Sequence, residues 1–137
     1  MAMITGELLS TEDYVNTYVR VDENSIYLIS GCDAIIMSVS DEQARSIGLG
    51  LENVSGPRPI THDLIRDVFD LFGIEIIMAK VEKLESDTYY ARLFLQQGNK
   101  ILNLDSRPSD AIAISVRYNK PVLVRKELME SAGRKIC

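Results

Sequence analysis

The sequence predicts an α+β fold in a single domain, with a largely antiparallel twisted sheet and three to four packed helices. Two groups of short alternating segments, separated by turn residues, predict two antiparallel meanders. Segments with an apolar period near 3.6 residues predict helices between and after them. Two of these helices begin in the same way, at Arg58-Pro59 and at Arg107-Pro108. The chain shows no linker or internal repeat, so residues 1–137 are taken as one domain.

The first meander occupies residues 14–39. Residues 14–21 alternate strictly, with three valines on one face and two tyrosines and an arginine on the other. Turn residues at 22–24 and 31–33 separate this strand from two more, over 26–29 and 34–39. Ahead of the meander, residues 4–9 are predicted to form a short strand or a loose terminus.

A capping box marks the start of the first helix. Ser40 can accept a hydrogen bond from the backbone of Gln43, whose side chain can return one. Gly48 and Gly50 lie inside this helix, and each costs roughly 1 kcal/mol relative to alanine. Two interpretations stay open: a close backbone approach to a neighbouring element, or a short and frayed helix.

The second helix is predicted over residues 61–72. Its apolar residues cover one half of the helical wheel and its polar residues the other. Gly73 follows at the position where a left-handed residue commonly ends a helix.

The second meander and the last helices complete the chain. Glu85-Ser86-Asp87 and Gln97-Gly98-Asn99 are turn sequences between alternating segments. Pro108, Ser109 and Asp110 give a helix-start signature, and the apolar residues after them predict a buried helix. The predicted elements are strands over 74–84, 88–96, 101–105 and 122–124, a helix from 108 to 118, and a helical turn or two over 126–132.

Composition limits the functional classes. The formal net charge is −5 and the pI is near 4.9, which argues against strong non-specific nucleic-acid binding but leaves room for a local basic site. No apolar run reaches the ~20 residues of a membrane span, and no signal peptide opens the chain. Cys32 and Cys137 have neither metal-ligand nor redox spacing, so we expect free thiols in a reducing, cytoplasmic setting.

The two Arg-Pro motifs carry a family resemblance. Arg58-Pro59-Ile60-Thr61-His62-Asp63-Leu64 and Asp105-Ser106-Arg107-Pro108-Ser109-Asp110-Ala111 are similar to motifs of the bifunctional nuclease domain family, as are Thr88-Tyr89-Tyr90-Ala91 and Asn119-Lys120-Pro121-Val122. The resemblance covers approximately residues 14–130. It implies hydrolysis of RNA and DNA and an α+β fold, and it makes nucleic acid the expected partner.

Phosphodiester cleavage needs an activated nucleophile and stabilisation of charge on the phosphoryl oxygens. The chain has one histidine, so two histidines cannot share the acid and base roles. We therefore expect a divalent cation, Mg²⁺ or Mn²⁺, held by carboxylates. The predicted metal ligands are Asp63, Asp105 and Asp110, the predicted catalytic residues are these three with His62 as acid or base, and the predicted phosphate contacts are Arg58 and Arg107.

Each of these residues also has a structural explanation. Arg58 and Arg107 could form bidentate pairs with Asp110 or Asp63 that pin two helix starts together. A carboxylate in the first turn of a helix is favoured by the helix dipole alone. His62 opens the polar face of its helix and could be a partly exposed histidine without a catalytic role. On this interpretation the protein is a non-catalytic binding or assembly module.

The three short strands near the N-terminus would leave sheet edges to cover. They leave room for a homodimer or a higher oligomer, which the sequence does not itself show.

Overall fold

The computed structural model describes residues 9–137, where eight strands form one sheet and four complete helices pack with it. The strand predicted over residues 4–9 falls almost wholly outside this range. In chain order the elements are β1 (Tyr14–Asp22), β2 (Ser25–Ser30), β3 (Asp33–Ser38), α1 (Asp41–Glu52), α2 (Thr61–Leu71), β4 (Glu75–Glu85), β5 (Thr88–Gln97), β6 (Lys100–Ser106), α3 (Pro108–Arg117), β7 (Val122–Arg125), α4 (Lys126–Ala132) and β8 (Arg134–Lys135).

The two predicted meanders join into a single sheet through β7. The strand order is β6-β5-β4-β7-β1-β2-β3-β8. Strand β7 pairs antiparallel with β1 and parallel with β4, where Ala79 lies opposite Val122 and Val81 opposite Val124. The other strand pairs are antiparallel. The predicted α+β class with a largely antiparallel sheet is therefore confirmed.

One face of the sheet carries the main core. Alternating residues of β2, β4, β5 and β7 turn toward the helices, and α3 packs among them with Ile112 and Ala113 fully buried. This explains why α3 is apolar around most of its circumference. Within the described part of the chain, no helix has the length and hydropathy of a membrane span.

Helix α1 begins with the predicted capping box. Ser40 Oγ accepts from the Gln43 N–H over 3.1 Å, and Gln43 Oε1 accepts from the Ser40 N–H over 2.8 Å. A methyl group added at Gly50 would lie 2.8 Å from both Arg117 Nη1 and Val116 Cγ2, whereas Gly48 has nothing within 4 Å. Gly50 therefore marks a close approach between α1 and α3, as one of the two interpretations predicted, and Gly48 does not.

Helix α2 ends where the sequence predicts. Phe72 follows the last helical residue, and Gly73 adopts a φ of +67°. Its apolar half is only partly used, because Ile65 and Phe69 pack on the core while other apolar side chains of the helix are exposed. The exposed ones are Leu64, Val68, Leu71 and Phe72.

The expectation of free thiols is wrong. Cys32 and Cys137 form a disulfide with a Cα–Cα distance of 5.2 Å. Strand β8 pairs antiparallel with β3, with Ala34 opposite Arg134, and Ile136 N–H donates to the Cys32 carbonyl. This long-range pairing, which cysteine spacing does not reveal, brings the two sulfurs together.

The N-terminal sheet edge is covered only in part. Strand β1 lies between β7 and β2, and the two-residue strand β8 pairs with Asp33 and Ala34 at the outer edge of β3. Among residues 9–137, the rest of β3 has no strand beside it on that edge, so the observation that motivated an oligomer holds in part, and the oligomer stays a prediction. The open edge of the sheet on the opposite side is β6, where Leu102 and Leu104 are exposed.

The two glycines of α1 give a matched test. Gly48→Ala should stabilise the protein by about 0.5–1 kcal/mol, because alanine costs less conformational entropy in a helix and meets no atom there. Gly50→Ala should destabilise it by about 1–3 kcal/mol, because its methyl group would displace Arg117 and Val116. Urea unfolding of both variants measures the difference. Equal effects at the two positions would contradict the close approach.

Candidate active site

Three helix N-termini meet around one cavity. The cavity has a volume of about 460 Å³ and is lined by the first two turns of α1 and the first turns of α2 and α3. The two Arg-Pro motifs are thus brought to a common site, as their repetition in the sequence suggested. The lining residues are Glu42, Gln43, Arg45, Ser46, Pro59, Ile60, Thr61, His62, Arg107 and Asp110.

His62 links all three helix starts. Its Nδ1 lies 2.6 Å from Ser46 Oγ on α1, and its Nε2 lies 2.8 Å from Asp110 Oδ1 on α3. The expectation of a partly exposed histidine is wrong, because His62 is buried. Its helix face, polar in the sequence, meets the other two helix starts rather than solvent.

The hydrogen bonds of His62 place a proton on Nε2. The Asp110 carboxylate can only accept, so the His62 Nε2–H donates to it. Ser46 Oγ, which also accepts from Arg117 Nη2 over 3.2 Å, bonds to His62 at Nδ1. Both ring nitrogens are therefore engaged within the protein.

Asp110 is the predicted aspartate that faces the cavity, which Glu42 also lines. The Asp110 side chain is 32% exposed, and Arg107 donates to both oxygens, from Nε over 2.9 Å and from Nη2 over 3.3 Å. Burial opposes ionisation of Asp110, but the hydrogen bonds from Arg107 and His62 outweigh it and lower the pKa of the carboxyl. Asp110 is thus a carboxylate at neutral pH, held by an arginine that is itself 70% exposed.

Asp63 lies behind the cavity wall. Its Oδ1 accepts from Arg117 Nε over 2.9 Å, its Oδ2 accepts from the Ile60 N–H over 3.2 Å, and both side chains of the ion pair are 2% exposed. Burial raises the pKa of Asp63, but the bonds from Arg117 and Ile60 act more strongly together and lower it. Asp63 therefore holds α2 to α3 and caps α2.

Three residues of the site were not predicted from the sequence: Ser46, Arg45 and Arg117. Ser46 is buried, and Arg117 also donates to the Ala113 carbonyl over 2.8 Å. The available signal was Gly50, one turn after Ser46, whose missing side chain makes room for Arg117. Arg45 lines the cavity without any sequence motif to mark it.

Two predicted site residues lie elsewhere. Asp105 is on β6 opposite Arg92, and it lines a different cavity with Glu82, Tyr90 and Arg125. Arg58 is exposed and does not line the cavity formed by the helix starts, so the predicted pairing of both arginines with the two aspartates holds for Arg107 alone.

The predicted metal ligands do not form a set. Asp63 has both oxygens engaged, Asp105 lines the other cavity, and Asp110 alone faces the cavity at the helix starts. Among residues 9–137, no group of three or more histidine, cysteine, aspartate or glutamate side chains is placed to hold a metal ion. The three aspartates therefore do not fit a metal bound by the protein alone.

Comparison with known proteins connects this geometry to a family. The profile described as Bifunctional nuclease domain matches residues 30–136. An uncharacterized protein of Mycobacterium tuberculosis is 34% identical over 95 residues, which are 69% of this chain and 56% of that protein. Bifunctional nuclease 1 of Arabidopsis thaliana is 36% identical over 89 residues, which are 63% of this chain and 27% of that protein. The chain thus spans about half the length of the first relative and about a quarter of the second.

The buried Asp63–Arg117 pair predicts acid sensitivity. A carboxyl with a lowered pKa in the folded state stabilises the fold above its unfolded pKa of about 4, and this stabilisation is lost as the pH falls through the folded pKa. Asp63→Asn should cost about 3–5 kcal/mol at pH 7, because Arg117 loses its buried counter-charge. The difference from the wild type should shrink on acidification below about pH 4.

Urea unfolding between pH 7 and pH 3 measures this effect, with Asp67→Asn as the control, since Asp67 is half exposed on the same helix. A cost for Asp63→Asn that is the same at every pH would contradict the assignment of an ionised Asp63.

Proposed function

The chain belongs to the bifunctional nuclease domain family, and from that premise we propose that it hydrolyses phosphodiester bonds of RNA or DNA in the cavity at the three helix starts. The observation that carries the proposal is the meeting of three helix N-termini around the Arg107–Asp110 pair. The partial positive charges of helix N-termini favour a phosphate group.

The starts of α2 and α3 have no side-chain cap. Neither Ile60, before α2, nor Arg107, before α3, caps its helix with a side-chain hydrogen bond. At α3, Pro108 has no N–H, and the Asp110 N–H donates to the Arg107 carbonyl over 3.1 Å. The Ser109 N–H is therefore the donor that an anion can meet there. At α2, the first N–H groups have no partner within the helix and can meet the oxygens of an anion.

Arg45 and Arg107 line the cavity at the helix starts together with Glu42 and Asp110, so the formal charges of these four side chains balance. The attraction for a phosphate in this proposal therefore comes from the two guanidinium groups and the helix N-termini, and not from a net basic site.

Arg107 connects substrate binding to catalysis in this proposal. Its exposed guanidinium can turn from Asp110 to a phosphate oxygen and hold it with two hydrogen bonds. Asp110 then loses the hydrogen bonds from Arg107 that lower its pKa and becomes a stronger base. It accepts a proton from water as the water oxygen bonds to phosphorus, the ester P–O bond breaks, and the leaving oxygen takes a proton from solvent.

His62 supports Asp110 and does not itself touch the substrate. Both ring nitrogens are engaged, and the Nε2–H donates to the Asp110 oxygen. This hydrogen bond fixes the carboxylate while Arg107 moves. His62 is thus a positioning residue here, in place of the acid or base role that the sequence suggested.

The second candidate function is the non-catalytic binding or assembly module. The Asp63–Arg117 ion pair favours it, because that pair joins α2 to α3. The sequence predicted such a lock for Arg58 or Arg107 and not for Arg117. Arg107 pairs with Asp110 of its own helix start, so that pair joins no two helices. The two pairs differ in burial, however. Arg107 is largely exposed, and an exposed ion pair contributes about 0–1 kcal/mol. The Arg107–Asp110 pair is therefore a weak structural lock, whereas the Asp63–Arg117 pair is buried.

Single substitutions separate these functions. Asp110→Asn and Arg107→Ala should each lower the cleavage rate of single-stranded RNA or DNA by about 10²-fold or more, since the first removes the base that acts on the attacking water and the second removes the group that holds the phosphate. Arg107→Ala should change the free energy of unfolding by no more than about 1 kcal/mol. Cleavage of a fluorescently labelled oligonucleotide and urea unfolding measure the two effects. Asp67→Asn, prepared identically, controls for a contaminating nuclease.

Three outcomes would contradict the proposal. Equal cleavage by all variants would indicate a contaminant and favour the binding module. A sharply lowered stability of Arg107→Ala would favour the lock. An inactive Asp105→Asn beside an active Asp110→Asn would move the chemistry to the cavity on β5 and β6.

Metal dependence remains a prediction, and chelation tests it. Mg²⁺ is often held by one or two carboxylates together with substrate phosphates, so Asp110 and a bound phosphate are the ligands to consider. If a cation is required, EDTA should abolish cleavage, and Mg²⁺ or Mn²⁺ should restore it in the wild type but not in Asp110→Asn. Full activity in EDTA would exclude the predicted requirement.

A further inference from the structure

A second cavity lies directly beside the first. It has a volume of about 430 Å³ and shares Gln43 and Arg107 with the cavity at the helix starts. Its remaining walls come from the end of β3, the start of β5 and the start of α3. The two cavities therefore adjoin at Gln43 and Arg107, which form the junction between them.

The junction is held in place by Gln43. Its Oε1 accepts from the Ser40 backbone over 2.8 Å, and its Nε2 donates to Ser109 Oγ over 3.1 Å. Both ends of the amide are thus engaged, which ties the start of α1 to the start of α3. Arg107, in contrast, projects into solvent and can reach a phosphate at the boundary of the two cavities.

The two cavities differ in chemistry. The first is lined mostly by charged and polar groups, with Pro59 and Ile60 as its apolar residues, whereas the second combines apolar side chains and one tyrosine ring with hydroxyl groups. Among residues 9–137, the charged residues that line the second cavity are Asp87 and Arg107. A pocket with apolar walls and a few polar groups suits a flat, uncharged heteroaromatic ligand. The apolar and aromatic lining residues are Ile36, Met37, Val39, Tyr89 and Pro108, and the hydroxyl residues are Ser38, Thr88 and Ser109.

We propose that the second cavity binds the nucleobase of the nucleotide whose phosphate lies at Arg107 and the start of α3. This inference rests on the proposed function, since it assigns the neighbouring part of the same substrate. Contact with apolar walls and an aromatic ring is tolerant of base identity, so the subsite gives affinity more than sequence specificity.

Two small ligands isolate the contribution of the base. Adenosine 5′-monophosphate and ribose 5-phosphate share the sugar and the phosphate and differ in the base. Their dissociation constants, measured by calorimetry on the wild-type protein, should differ by about tenfold in favour of the nucleotide.

A blocked cavity should remove this preference. Ser38→Trp places a bulky ring at the exposed end of β3, inside the second cavity, and should bring the affinity ratio of the two ligands close to one. Thr88→Trp, on the opposite wall, should do the same and serves if Ser38→Trp fails to fold. The control is Ser131→Trp, an exposed serine that lines a cavity without a residue in common with either. It should keep the wild-type ratio.

The outcomes separate this inference from the proposed function. Cleavage activity with equal affinities for the two ligands would overturn the base subsite alone. A preference for the nucleotide that survives both blocking substitutions would also overturn it. Absence of binding by either ligand, together with absence of cleavage, would overturn both proposals.

Discussion

The buried guanidinium of Arg117 holds the three helix starts in their arrangement. It bonds to Asp63 on α2, to Ser46 on α1 and to a carbonyl of its own helix. A buried charge is tolerated only where a counter-charge and hydrogen bonds replace water, and here each partner comes from a different helix. Removing one of them leaves a buried N–H of the Arg117 guanidinium without that acceptor. The helices are therefore fixed relative to one another by polar contacts as well as by apolar packing.

Local signals in the sequence predicted most of the fold. The capping box at Ser40, the left-handed Gly73 and the alternation of β1 each depend on a few neighbouring residues, which is why they could be predicted. The disulfide of Cys32 and Cys137 depends on the pairing of β8 with β3 across 105 residues. Because this pairing is long-range, no local sequence pattern predicts the disulfide.

The site was predicted in part for the same reason. Two helix starts with the same motif could be expected to meet, and His62 with Asp110 does join them. Asp105 was misplaced because its strand carries it to the opposite side of the sheet from the helix starts, although only five residues separate it from Asp110. Ser46 and Arg117 were missed because they lie 71 residues apart and act through burial.

The two Arg-Pro motifs show that two aspartates at equivalent helix positions can have different environments. Asp63 and Asp110 each occupy the third position of a helix and each bind an arginine. The partner of Asp63 is buried and has further bonds that hold it, so that pair cannot open without disrupting three helices. The partner of Asp110 is exposed, and the proposed function requires that pair to open toward an anion in the cavity. Two similar motifs therefore yield one buried ion pair that joins helices and one partly exposed carboxylate at the cavity.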